Sequence, residues 1–267
     1  MVKEYYKKSF TPTTRKYRSP KIYTATRRKE RPKLKLPPTL VRFALLLVII
    51  LAVFYYVFFS SKFRIKDIIV EGNSLVSRDE IVGVLPQNQN IFRLDIEQSK
   101  SLITTKFPEI NEVEIYRGIP DALKIVVVER ENKIVWRTNN ELYYISNSGI
   151  ATRKITTDGI KNLPVVVDTK NLPVQLGKPL VSPNFVAFIT NVNATFQSEE
   201  GIKLLNFEIP ETTFNINLKT DAGFFVKLNT LRSSQKQLSD LKAILAKFRP
   251  NIHEYVDLRI DGWAYYK

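Results

Sequence analysis

Residues Val113–Arg130 read VEIYRGIPDALKIVVVER. Val113 and Ile115 alternate with Glu112, Glu114 and Tyr116, and Leu123, Ile125 and Val127 recur at every second position beyond Gly118–Asp121. Apolar residues at period two mark strands with one buried face, and the Gly-Ile-Pro-Asp segment between them marks a turn. Upstream, Phe63–Gly72 reads as another strand closed by a Gly72-Asn73 turn. Ser77-x-x-Glu80 is a capping box, flanked by Val76 and Ile81 at the staple positions, and predicts a short helix over Arg78–Leu85. Asp95-x-x-Gln98 opens a second helix carrying Ile96, Leu102, Ile103 and Phe107, with Pro108 past its end. The order β-α-α-β-β predicts an α+β unit over residues 63–131, its helices on one face of a three-stranded sheet.

Before that unit stands FALLLVIILAVFYYVFF, Phe43–Phe59, without charge, glycine or proline. A helix needs about 20 apolar residues to cross the hydrocarbon. The span is therefore extended to residues 40–61, with Arg42 reaching back to the headgroups. Eight Lys and six Arg against two Glu give residues 1–42 a net charge of +12, whereas the remainder carries 27 basic and 24 acidic residues. Basic residues beside a span stay on the cytoplasmic side. The reading is a single-pass plasma-membrane protein, N-terminus inside and folded part outside. A cleaved signal peptide is the rival, but the run is long and leads into Ser60-Ser61-Lys62 with no small-x-small cut site. Residues 1–39, with Pro12, Pro20, Pro32, Pro37 and Pro38, are read as a disordered basic tail leaning on anionic lipid. Despite Arg27-Arg28-Lys29 and its scattered tyrosines, the tail is not assigned a nucleic-acid partner.

Downstream, residues 132–267 read as a mixed β domain. Thr138-Asn139-Asn140 between Trp136 and Leu142–Ile145 predicts a hairpin, and Ser146–Gly149 the next turn, followed by Ile150-Ala151. Leu204–Ile209, Phe214–Leu218 and Phe224–Leu228 read as strands, the last two joined at Thr220–Gly223. Phe185–Phe196 and Leu231–Phe248 read as helices, the second with Leu238, Leu241, Leu245 and Phe248 on one face. At the C-terminus, Val256, Leu258 and Ile260 alternate with Asp257, Arg259 and Asp261, predicting a half-buried strand. It is either an edge open to a partner strand or an internal strand paired on both sides.

With no cysteine and a single histidine, His253, the composition excludes or nearly excludes zinc, iron–sulfur and cysteine-nucleophile sites. No metal, cofactor or small-molecule substrate is expected. Ser233-x-x-Lys236, Lys219-Thr220-Asp221 and Ser146-Asn147-Ser148 imitate the motifs of penicillin-binding enzymes, but their order is reversed and the K-T-G-like motif has Asp221 in place of its glycine. Glu199-Glu200 and the Glu129/Glu131 pair read as solvated carboxylates. The expectation is a protein without catalytic residues.

Val70-x-Gly72-Asn73, Ile81, Phe107-Pro108 and Val113-x-Ile115-x-Arg117-x-x-Pro120-x-x-Leu123-x-Ile125-x-Val127-x-Glu129-Arg130 resemble the POTRA domain of the FtsQ/DivIB cell-division proteins. Leu163–Val167 and Tyr255-Val256-Asp257-Leu258-Arg259 with Asp261-Gly262 resemble the β domain of that family. Departures are Glu131 where proline is frequent, Ile260 where an aromatic is usual, and Asn229 where glycine is common. The chain ends with the β domain, like the FtsQ type. The resemblance implies a non-catalytic divisome scaffold at the division septum, linking early division proteins to septal peptidoglycan synthesis. It further implies FtsB/DivIC-like and FtsL-like bitopic partners held by the last strand and the helix before it. The residues so implied are Leu258, Arg259, Ile260, Trp263 and Tyr265. A membrane-anchored chaperone or secretion-accessory protein bearing a POTRA unit is the alternative.

Overall fold

A computed structural model describes residues 20–22, 37–160, 162–196 and 202–267. Most of the basic tail, and Glu199-Glu200, lie outside the described residues. The apolar run forms one helix, α1 (Pro38–Phe59), with no buried residue and the length and composition to cross a membrane. Residues Leu51–Lys267 form a compact unit.

That unit begins with a mixed three-stranded sheet. It comprises β1 (Asp67–Glu71), α2 (Arg78–Val82), α3 (Ile96–Lys106), β2 (Ile110–Gly118) and β3 (Ala122–Glu129), in the strand order β1-β3-β2. β1 runs parallel to β3, and such a pair requires a crossover, which α2 and α3 supply. The expected strand from Phe63 is shorter: residues 61–63 form a single tight helical turn, and ladder pairing starts only at Asp67 opposite Ala122. The capping box forms as read, with the Glu80 amide donating to Ser77 Oγ (3.3 Å) and the Ser77 amide donating to Glu80 Oε2 (2.9 Å). Its helix ends at Val82, short of Leu85. Asp95 caps α3 by accepting from the Gln98 amide at 3.0 Å. Leu102 is exposed rather than in the core, because Ile96, Ser99 and Ile103 share the inward face and Leu102 lies about 100° around the helix from Ile103. The core joins Val76, Ile81, Leu94 and Ile103 to Val113, Ile125 and Val127.

The second layer is a nine-stranded sheet among the described residues. Its strands are β4 (Asn132–Thr138), β5 (Glu141–Ser146), β6 (Ala151–Ile155), β7 (Val165–Asp168), β8 (Leu204–Ile209), β9 (Asn215–Thr220), β10 (Phe225–Asn229), β11 (Tyr255–Asp257) and β12 (Tyr265–Tyr266). The order is β12-β11-β10-β9-β8-β7-β4-β5-β6. Asn139 and Asn140, with φ of 49° and 62°, make the two-residue turn between β4 and β5, which needs left-handed backbone at both positions. Helices α4 (Pro183–Phe196) and α5 (Ser234–Phe248) bury Phe185, Ile189, Leu238 and Leu241 in one core with Trp136, Phe207, Leu218, Val226 and Val256. Each such side chain contributes about 1.5–3 kcal/mol by leaving water.

Only Arg130 and Glu131 separate β3 from β4. The Glu129 carboxylate is not solvated as expected: it accepts the amides of Ser74 (2.9 Å), Leu75 (2.9 Å) and Val76 (3.0 Å), fixing the turn after β1. Arg130 donates to the Pro108 carbonyl (3.2 Å) and to Ser148 Oγ (3.4 Å). Buried Glu109 meets Arg153 of β6 at 2.6 Å, and Arg153 also reaches the Leu75 carbonyl (3.2 Å). Arg130 and the Glu109–Arg153 pair thus join the two layers.

Candidate partner-binding edge

The sheet ends on β12, which pairs antiparallel with β11 (Val256 opposite Tyr266, Asp257 opposite Tyr265). β11 is parallel to β10 on its other side, so the final strand of the sequence reading is internal and the edge falls on the two residues beyond it. That strand stops at Asp257 instead of continuing through Ile260. Residues 258–262 turn away, and Gly262 takes a φ of 73°. Lys267 and Tyr255 exchange both backbone hydrogen bonds (3.0 and 3.3 Å). In an antiparallel ladder the neighbouring residue of the edge strand points its N–H and C=O outward, so Tyr266 offers an unpaired donor and acceptor on the open side.

The five residues singled out in the sequence separate in space. Leu258 is 1% exposed, part of the core, with its amide on the Lys227 carbonyl (3.0 Å) and its carbonyl on Arg232 (2.6 Å). It supports the edge from behind and presents no side chain to a partner. Arg259 folds back onto Asp257 through Nε (2.9 Å) and Nη2 (2.6 Å). Ile260, Trp263 and Tyr265 are exposed, and the Trp263 and Tyr265 rings stack at 6.5 Å. On the opposite face Tyr266 stacks at 5.3 Å on Phe248, the last residue of α5, so aromatics flank the edge on both sides. Lys227 over the Tyr255 ring (3.8 Å) completes the outer face. Sequence reading missed this last pair, since its two members lie 28 positions apart and meet only through the parallel β10–β11 register.

Charge stiffens the edge. Burial opposes ionisation of Asp257, yet hydrogen bonds from the Arg259 side chain and backbone, with Lys227 nearby, hold its carboxyl below the usual range. Asp261 is also held low, by Lys236 first and then Arg232, both of which it bonds. Lys236 is therefore committed to Asp261 (2.8 Å), while Ser233 Oγ caps α5 by accepting the Lys236 amide (3.4 Å). The other imitated motifs serve the fold too. Thr220 Oγ1 donates to the Phe224 carbonyl (2.7 Å), and Ser146 Oγ accepts the Ile150 amide (3.2 Å). Among the described residues no group of three or more His, Cys, Asp or Glu side chains could hold a metal ion.

Residues 63–130 match the family model described as POTRA domain, FtsQ-type. A protein named cell division protein FtsQ from Chloroflexus aurantiacus is 34% identical over 127 residues, covering 47% of this chain and 46% of that protein. Its namesake from Chloroflexus aggregans is 30% identical over 150 residues (56% and 54%), and that of Rickettsia typhi 30% over 135 residues (45% and 50%). The chain spans about half the length of the curated relatives it matches. Behind one apolar helix the chain thus carries a POTRA domain of the FtsQ type, and over about half its length it is similar to the FtsQ cell-division proteins.

Proposed function

We propose that this chain is a non-catalytic divisome scaffold. It is anchored in the plasma membrane with its N-terminus in the cytoplasm, and its domains at residues 63–131 and 132–267 lie outside. At the division septum it links early division proteins to peptidoglycan synthesis by holding FtsB/DivIC-like and FtsL-like bitopic partners. The observation that carries the reading is β12: an edge strand with outward-facing backbone at Tyr266, flanked by exposed Trp263, Tyr265 and Ile260. A partner segment adding as a further strand would find main-chain hydrogen bonds there, and aromatics of the kind enriched at interface hot spots. The restraint of Asp257 by Arg259 and of Asp261 by α5 keeps the edge formed before binding, which lowers the ordering cost of capture.

The test is co-purification of the full chain with a co-expressed FtsB-like partner. Tyr266→Pro removes the outward donor, and Trp263→Ala with Tyr265→Ala removes the aromatic flank. Both variants are expected to lose the partner while keeping a wild-type melting temperature. Undiminished capture by both would refute the edge. A fluorescent fusion is expected at midcell, and a uniform envelope signal with loss of exported cargo would favour the secretion-accessory alternative.

A further inference from the structure

Helix α1 does not lead into a free linker. Near its end, the Val57 carbonyl accepts a hydrogen bond from Asn90 Nδ2 (2.9 Å), and Asn90 is only 7% exposed. The side-chain oxygen of Asn90, Oδ1, accepts the Phe92 amide (2.9 Å). Phe92 lies 6.1 Å from Phe58 and 5.5 Å from Phe63, and Phe63 meets Tyr56 at 6.0 Å. The Ile91 amide bonds the Phe63 carbonyl (2.8 Å), and the Ile65 amide bonds Gln89 (3.0 Å). The segment from Pro86 to Arg93 is therefore fixed at the level where the apolar span stops.

Between that segment and the helix end lies a crevice with an unusual lining. One wall is apolar, Phe58 and Phe59, and among the described residues the charged side chains that line it are Arg64 and Arg93. Neither arginine is paired with a carboxylate among the described residues, and both are exposed; Arg93 stands 5.8 Å from the Phe59 ring. Lys66, two residues beyond Arg64, contrasts with it, being neutralised by Asp121 at 2.8 Å. Unpaired positive charge close to this end of a span opposes the orientation that the tail imposes. Its placement there points to a ligand of opposite charge. Guanidinium groups match phosphate oxygens in geometry and charge, and an adjoining aromatic wall suits the upper part of an acyl chain.

We infer that this crevice seats the phosphate of an anionic phospholipid in the leaflet from which α1 emerges, holding the first folded unit against the membrane surface. The inference rests on the reading of α1 as a membrane span. It adds to that reading a second, lipid-selective attachment formed by Arg64 and Arg93.

The experiment reconstitutes the full chain into nanodiscs of equimolar phosphatidylcholine and phosphatidylglycerol, then counts retained lipids by native mass spectrometry after gentle release. Wild type is expected to retain phosphatidylglycerol selectively. Arg64→Gln and Arg93→Gln should each lower that selectivity about five-fold, the value of one basic group at an anionic surface. Lys170→Gln removes the same single charge from the second layer, where Lys170 is exposed, and should leave the retained class unchanged. Equal retention by the crevice variants, or an equal fall in the Lys170 variant, would overturn the proposal. Entry into the disc is scored separately by co-elution. A chain that stays outside refutes the span, whereas one that enters without lipid preference refutes the crevice alone.

Discussion

Gln237 is fully buried, and its amide behaves as a strand partner for the end of β10. Oε1 accepts the Asn229 amide (2.9 Å), and Nε2 donates to the carbonyls of Asn229 (2.9 Å) and Ser233 (3.3 Å). Gln237→Leu keeps the volume and strands both Asn229 groups. At about 1–3 kcal/mol for each buried group left unpaired, and with Asn229 half-buried, the loss should be about 2–4 kcal/mol. That corresponds to a drop of about 5–15 °C in melting temperature for a unit of this size. Gln237→Glu is the sharper perturbation. The carboxylate can still accept from Asn229, but its second oxygen faces two carbonyls, so the charged form is disfavoured and its pKa rises. A carboxyl that holds its proton more tightly when folded contributes fully below the unfolded value, about 4.3 for glutamate, and loses that contribution as pH climbs from there through its raised folded value. Differential scanning calorimetry of the full chain in detergent should therefore show this variant strongly destabilised at pH 8, recovering towards pH 5 where the protonated group can donate. A variant that melts like wild type at pH 8, or a deficit that ignores pH, would refute the assigned pairing.

Other outcomes follow from the same geometry. Glu129→Ala removes the acceptor for three amides and should cost about 2–4 kcal/mol, with hydrogen exchange accelerating first at residues 74–76. Gly72 has a φ of 82°, and an added Cβ would sit 2.1 Å from the Val127 carbonyl oxygen, so Gly72→Ala should cost on the order of 3 kcal/mol or more in urea unfolding. Asp257 and Asp261 hold their protons less tightly when folded, so their stabilisation is complete above the ordinary carboxylate range and fades as pH falls below about 4. Acid should thus loosen the β11–β12 edge before the core melts, read as greater acrylamide quenching of Trp263 while Trp136 stays protected.

Much of the first unit was legible because its signals are local. A capping box acts across three residues, and alternation along Val113–Val127 states which face of each strand is wet. The same locality explains the failures. Leu102 is apolar but off the stripe defined by Ile96, Ser99 and Ile103, and a buried serine does not announce itself by composition. The run Val256-Leu258-Ile260 kept its alternation on paper, yet Ile260 is 56% exposed because the chain must turn to return as β12. Glu129 looked solvated because its three partners lie more than 50 positions away. The aromatics of the candidate edge were visible as residues, whereas the division between buried Leu258 and exposed Trp263 required the sheet order.

Six strand intervals separate β4, at the junction, from β12. At about 4.8 Å per interval they amount to a ruler of roughly 29 Å. Because Arg130 and Glu109 leave no slack where the ruler begins, a segment captured on its far end would be kept at a set distance from that hinge-free corner. Inserting or deleting a strand between those points would move any docked polypeptide by one whole notch, without altering a single side chain that touches it.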